Sequence, residues 1–172
     1  MTQQDTEFQH VERAIRQRTF GTLSTVSPRG LPQASGVIYA VSPPAQPLVL
    51  YVTTRTSTVK VAHIAQASAV AFVIPVPHRA LPLFPPATVQ FQATATILDS
   101  HDVAALAAFQ STWFHRRILR AEQRIVAETG DMCFIAIRPH HILSTYGIAM
   151  PAATIMRRPA HAISHAHLPA GR

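Results

Sequence analysis

Residues 87–98 constrain the fold of this chain more than any other stretch. Val89, Phe91, Ala93, Ala95 and Ile97 alternate with Thr88, Gln90, Gln92, Thr94 and Thr96. Such period-two alternation marks a long strand with an apolar face and a polar one. The polar face here holds neutral hydrogen-bonding groups. Other stretches supply neighbours for it. Residues 22–26 alternate apolar and hydroxyl side chains as a strand, and Ser27-Pro28-Arg29-Gly30 reads as a turn opened by proline and closed by glycine. Residues 31–41 return as the antiparallel partner. Gly36 inside that returning strand predicts a bulge or a close backbone approach.

Residues 47–66 read as a strand that feeds a helix. Leu48 to Val52 is an apolar, β-branched and aromatic run. It breaks into hydroxyl residues and Arg55, and a helix follows over about 59–66 with Val61, Ile64 and Ala65 on its core stripe. Such a junction collects free backbone N–H groups and a positive dipole end. Arg55 and Lys60 add two cationic donors, which together suit a phosphate. Lys60 is the one lysine among 15 Lys and Arg residues, so a compact ammonium is singled out there. The same residues also suit a capped helix whose Lys60 and Arg55 face water. His63, three positions from Lys60, reads as a partly buried helix histidine, with a ligand role as the alternative.

Asp5 or Thr6 can cap a first helix whose Phe8, Val11 and Ile15 form one stripe. Residues 69–74 form another strand. Residues 75–86 contain five prolines and read as an irregular loop over a pocket, a partner or open surface. After the long strand, Asp99 or Ser100 starts a helix with Val103, Leu106 and Ala107 inward. The next has Ile118, Ala121 and Ile125 inward. Arg117, Arg120 and Arg124 lie on another face, solvated or gripping an acidic ligand tail. Residues 131–138 and 141–146 read as two strands broken at Pro139. From Ala149 periodicity is lost, and Arg157, Arg158, His161, His165 and His167 make residues 149–172 a basic, histidine-rich tail, disordered or draped on a partner, beside a domain over 1–148. His161 and His165 have metal-pair spacing, but no carboxylate or cysteine is near to complete a site.

What the chain lacks narrows its chemistry. Its net charge of +7 arises from having only eight acids, and no aromatic-interleaved basic ribbon points to nucleic acid. The apolar runs are too short for a bilayer, and the polar start has no signal-peptide core, so a cytoplasmic address is expected. Cys133 stands alone in an apolar strand, a core thiol. No Gly-rich phosphate loop, nucleophile elbow or carboxylate pair is present, so no catalytic side chain and no metal site is assigned. Any catalysis falls to a cofactor.

Phe20-Gly-Thr-Leu-Ser-Thr-Val26 followed by Pro28-Arg-Gly-Leu-Pro32, the run from Leu50 through Thr54, Thr58 and Lys60, and Gln90-Phe-Gln-Ala-Thr-Ala95 resemble the motifs of a known family. It is the pyridoxamine 5'-phosphate oxidase-like, FMN-binding split β-barrel family, and the resemblance spans roughly residues 20–146. It implies a mainly β fold with flanking helices (α+β), a split barrel. Lys60, Thr58 and Arg55 would hold the FMN phosphate, with Thr54 supporting that loop. Ser35, Gly36 and Val37 would lie against the isoalloxazine, and Gln90 or Gln92 would meet its polar edge. Ala93 stands where the family usually has glycine, and His63 where an arginine or asparagine is common. The arginine-rich C-terminal substrate grip of true pyridoxamine-phosphate oxidases is missing, so that reaction is not implied. The implied function is an FMN-dependent oxidoreductase acting on a small molecule, as a homodimer with cofactor sites at the interface. Trp113-Phe114 and the proline-rich loop are candidates for covering the barrel's apolar surface. Alternatives within the fold are a deazaflavin-dependent reductase, a heme-binding or heme-degrading protein ligating iron through His161, His165 or His167, and a non-catalytic flavin binder.

Overall fold

The alternation over residues 87–98 becomes β5 (Ala87–Asp99), a strand whose odd positions are buried through Ala95 while its even positions from Gln90 to Thr96 face water. The computed structural model describes residues 3–77, 86–148, 150, 152–157 and 159–169. Around β5 are β1 (Phe20–Val26), β2 (Pro32–Val41), β3 (Leu50–Arg55), β4 (Ala69–Val76), β6 (Met132–Tyr146) and β7 (Ile163–His167). The sheet runs β3-β2-β1-β4-β5-β6-β7, and β3 also pairs with β6. Six strands therefore close into an antiparallel barrel with β7 added on β6, a split-barrel α+β fold.

Strands buried on one face alternate, whereas those covered on both do not. Inside the barrel Leu23, Tyr39, Phe72, Val89, Ile135 and Leu143 are fully buried. A second cluster packs Tyr51, Phe134 and Ala136 beneath α3 (Val103–Gln110) and α4 (Trp113–Ile125), through Phe109 and Leu119. Residues 132–137 of β6 are thus buried on both sides and read as one apolar run. α1 (Gln3–Arg16) inserts Phe8, Val11 and Ile15 into the barrel core, as their spacing predicts. Between β1 and β2, Gly30 has φ +76°, and its N–H donates to Ser27 O at 2.9 Å, closing the expected turn.

Several expectations are corrected. Strands β1 and β2 pair without a register shift from Phe20↔Ile38 to Val26↔Pro32, so no bulge exists at Gly36. The close approach there is real and comes from the Phe20 ring, whose Cζ would lie 2.9 Å from a Cβ at Gly36. Pro139 does not break β6. It falls after the last β3 pair (Leu50↔Ile137) and before the first β7 pair (Ile142↔His167), where its missing N–H costs no bond to either. Pro75 and Val76 likewise belong to β4, beyond the last β1–β4 pair at Val73. Most of the proline-rich loop, residues 78–85, lies outside the described residues, as does Arg158.

The helix stripes differ where small residues do the packing. α3 starts at Asp102, whose carboxylate accepts from Ala105 N at 2.9 Å. The helix turns Ala105, Ala108 and Phe109 inward and leaves Val103 80% exposed. In α4, His115 and Leu119 face the core, Ile118 is half-buried, and Ala121 and Ile125 are exposed. In α2 (Val59–Gln66), Ala65 is exposed and His63 takes its place beside Val61 and Ile64, with Nδ1 3.1 Å from Thr25 Oγ1. The supposed tail folds as well. After α5 (Ala152–Arg157) and a 3-10 turn (Pro159–Ala162), β7 pairs with β6 and buries Ala166.

His115 links α4 to the barrel. Its Nε2 is 2.9 Å from Tyr39 O and its Nδ1 is 2.9 Å from Thr112 Oγ1. The Tyr39 carbonyl can only accept, so Nε2 carries the proton, and in the neutral ring Nδ1 then accepts from the Thr112 hydroxyl. Burial holds the pKa below 6.5, against the opposing pull of the Tyr39 carbonyl. A depressed folded-state pKa gives stability that is present above 6.5 and lost as pH falls. Acidification from about pH 7.5 to 5.5 is therefore expected to lower Tm more in the wild type than in His115→Gln, which keeps an amide donor but does not titrate. An equal drop in the two proteins would refute this.

Candidate functional site

Strand β3 carries its ladder through the hydroxyl residues, with Thr54 opposite Cys133 and Arg55 opposite Met132, and α2 begins four residues later. Thr58 is the N-cap in extended conformation, yet its side chain does not cap the helix. Its hydroxyl instead donates to Arg55 O at 2.9 Å. The first N–H groups of α2 are thus left without a side-chain cap at the positive end of the helix dipole.

Side chains converge on this junction. Lys60 Nζ donates to Thr54 Oγ1 at 3.1 Å, and Thr54 Oγ1 lies 3.4 Å from Thr58 Oγ1. Burial, and then the nearby Arg55 charge, pull the Lys60 pKa below its usual value. Arg55 is turned to α4, with Nε 3.7 Å from Glu122 Oε1. Ser57 Oγ donates to Asp131 Oδ2 at 3.1 Å and Thr56 N to Asp131 O at 2.7 Å, which ties the connection to the start of β6. The Thr129 hydroxyl first, with the Ser57 hydroxyl also contributing, holds the Asp131 carboxyl below the usual range. An ammonium, a guanidinium, hydroxyls and open backbone donors in one place are the donor set that a phosphate ester fits.

The remaining predicted positions divide between two places. Gly36 lies on the outer face of β2, whereas Ser35, opposite the buried Leu23, and Val37, in the barrel core, share the inner face and leave mainly their backbone for a ligand at Gly36. Gln90 and Gln92 line a separate cavity of about 490 Å³ on the outer sheet face, with His140, Ile142 and Ser144. Register places Gly36, Thr22, Val73, Gln90, Ser144 and His165 in one row across six strands. Gln90 is thus three strands from Gly36, about 14 Å at ordinary strand spacing. One copy of the chain does not bring both glutamines to the ring position beside Gly36.

Histidines that sequence reasoning assigned to a loose tail adjoin this cavity. His165 Nδ1 is 3.1 Å from Ser144 Oγ, and the His141 and His167 rings are 5.2 Å apart. His161 is in the 3-10 turn and His165 is in β7, so the pair does not share a helix face. Among the described residues, no group of three His, Cys, Asp or Glu is placed to hold a metal. Cys133 is buried, with its thiol pKa raised by that burial. Arg117, Arg120 and Arg124 face solvent. No described helix is long and apolar enough to cross a membrane. Glu122 and Asp131 were missed because they reach the junction from 67 and more positions downstream of Arg55, and no local spacing announces them.

The family profile described as pyridoxamine 5'-phosphate oxidase matches residues 8–146. No curated protein gives a significant sequence match. Among solved structures, HutZ, a heme storage protein from Vibrio cholerae, is 15% identical with a TM-score of 0.63, covering 81% of this chain and 94% of that one. A pyridoxamine 5'-phosphate oxidase-related, FMN-binding protein from Nostoc punctiforme is 15% identical with a TM-score of 0.56, covering 85% and 84%. An F420 reductase is 20% identical with a TM-score of 0.52, covering 75% and 92%. Identities at this level show a shared fold.

Proposed function

Because the chain belongs to the pyridoxamine 5'-phosphate oxidase family, we propose that it binds FMN and works as a flavin-dependent oxidoreductase on a small molecule. The observation carrying this is the convergence of Thr54, Thr58 and Lys60 at an open helix start, with Arg55 alongside. Lys60 and the α2 backbone would hold the phosphate, Arg55 would close over it, and the outer face of β2 at Gly36, with the flanking Ser35 and Val37 backbone, would take the ring. FMN when bound would supply hydride exchange, chemistry that falls to a cofactor rather than to an amino-acid side chain. An absorption band at about 450 nm, retained through gel filtration after FMN addition, is the expected result. Its absence would remove the reading.

We also propose a homodimer. A second copy could bring Gln90 and Gln92 to the ring position that one chain leaves about 14 Å away. Phe20, Ile142 and Ile163 are 50%, 49% and 62% exposed. They border the row through Gln90 and give that outer sheet face the apolar character of a buried interface. Ile142→Asp/Ile163→Asp is expected to elute as a monomer and to bind FMN more weakly. A monomeric wild type would refute the assembly.

A heme reading has one observation in its favour, since β7 sets His165 and His167 beside the cavity. The same titrations with heme separate the two, because His165→Ala/His167→Ala would lose a Soret band and leave FMN binding through the phosphate intact. Deazaflavin would use the same phosphate cradle and is identified by its own absorption.

A further inference from the structure

We propose that Glu122 is a built-in competitor for the bound phosphate. It parks Arg55 on α4, and the anion must draw the guanidinium off Glu122 to be fully held. This rests on the phosphate-binding role proposed for the β3–α2 junction.

The two cations of the junction are held differently. Lys60 is anchored on Thr54 Oγ1, inside the cradle. Arg55 points to Glu122, at a separation of 3.7 Å that is long for a charge-assisted hydrogen bond. The Arg55 side chain is 49% exposed and that of Glu122 is 21% exposed. The arginine is therefore the partner with room to move, and the carboxylate is the fixed one. A half-exposed pair of this kind is weak, so the guanidinium can leave it at small cost. A phosphate offers two oxygens to the planar guanidinium fork and a higher charge than Glu122, which favours the exchange.

Asp131 sharpens the argument. Its carboxylate accepts from the Thr129 and Ser57 hydroxyls at 2.6 and 3.1 Å, so it is immobilised beside the same loop. Arg55 and Lys60 are thus faced by Glu122 and Asp131, and the four formal charges cancel. An arriving anion first meets Lys60 and the uncapped start of α2, and gains the Arg55 charge only when the guanidinium turns inward. A dianionic phosphate ester can induce that turn better than a monocarboxylate, so the competitor also selects. It makes cofactor exchange easier than the donor set alone would allow.

The test is FMN titration, followed by flavin fluorescence, of the wild type, Glu122→Gln, Arg55→Ala and the double variant, with riboflavin as the probe lacking phosphate. Glu122→Gln is expected to bind FMN about fivefold more tightly, with a larger gain at low salt. Riboflavin affinity should not change, and the gain should vanish in the Arg55→Ala background. Unchanged or weaker FMN binding by Glu122→Gln, or a gain that survives without Arg55, overturns the proposal. Glu122→Met serves as a second variant should the glutamine alter the thermal melt. Wild-type binding with no Glu122 effect removes the competitor alone. If neither wild type nor variant binds FMN, the phosphate site falls and takes the competitor with it.

Discussion

Arg55→Ala/Lys60→Ala is expected to weaken FMN binding by at least about a hundredfold, with Tm close to that of the wild type. Each charge-assisted contact to a phosphate is worth about 1.5–3 kcal/mol, so two lost contacts give roughly 3 kcal/mol at the low end. The low end is the better figure because Arg55 is half-exposed and must first leave Glu122. Stability should hardly move, since a solvent-screened ion pair contributes about 0.2–1 kcal/mol. Lys60 is partly desolvated, which disfavours its charged form in the folded state. That depression has a pH consequence for the ligand. FMN retention depends on the ammonium, so it should fade as pH rises through the Lys60 pKa, starting below the ordinary 10.5. Equilibrium dialysis across pH, with the double variant as the baseline, measures both effects. Unchanged FMN affinity in the double variant would place the phosphate elsewhere.

The convergence of Thr54, Thr58 and Lys60 could be read from sequence because the three are close in the chain. One strand end and one helix start bring them together whatever the rest does. Strand β5 and the β1–β2 hairpin were equally plain, since one face of each meets water and the side-chain chemistry records it. What failed was set by distant packing. Ala105 and Ala108 face inward because Phe109 and Phe134, 5.7 Å apart, fill the space beside them, and alanine carries no sign of that. Pro139 looked like an end because the switch of β6 from β3 to β7 cannot be seen locally. The β7 segment pairs with Ile142 to Tyr146, and its short alternation of Ile163, His165 and His167 is weak beside proline and arginine. Glu122 is the clearest case. Its role exists only because α4 crosses the end of β3, and an isolated Glu on an arginine-rich helix looks like any solvated acid.

Phe72→Ala is expected to give the largest loss of stability, about 3–5 kcal/mol, or roughly 10 °C in Tm for a chain of this size. Phe72 is fully buried, stacks on Phe91 at 5.7 Å and meets Tyr39 edge-on at 5.6 Å. Its environment is also shaped by a glycine. A Cβ at Gly21 would come within 2.8 Å of Phe72 Cζ and 3.0 Å of Val73 O. Glycine in β1 therefore does more than tolerate the strand; it makes room for the ring on the neighbouring β4. Gly21→Ala alone should cost about 1–3 kcal/mol by overpacking. In the Phe72→Ala background most of that cost should disappear, because the added methyl enters the space the ring has left. Only the contact with Val73 O would remain. Denaturant unfolding of the two single variants and the double variant closes the cycle. Additive losses would show that the backbone at Gly21 yields without help from Phe72, and that the ring does not require the glycine.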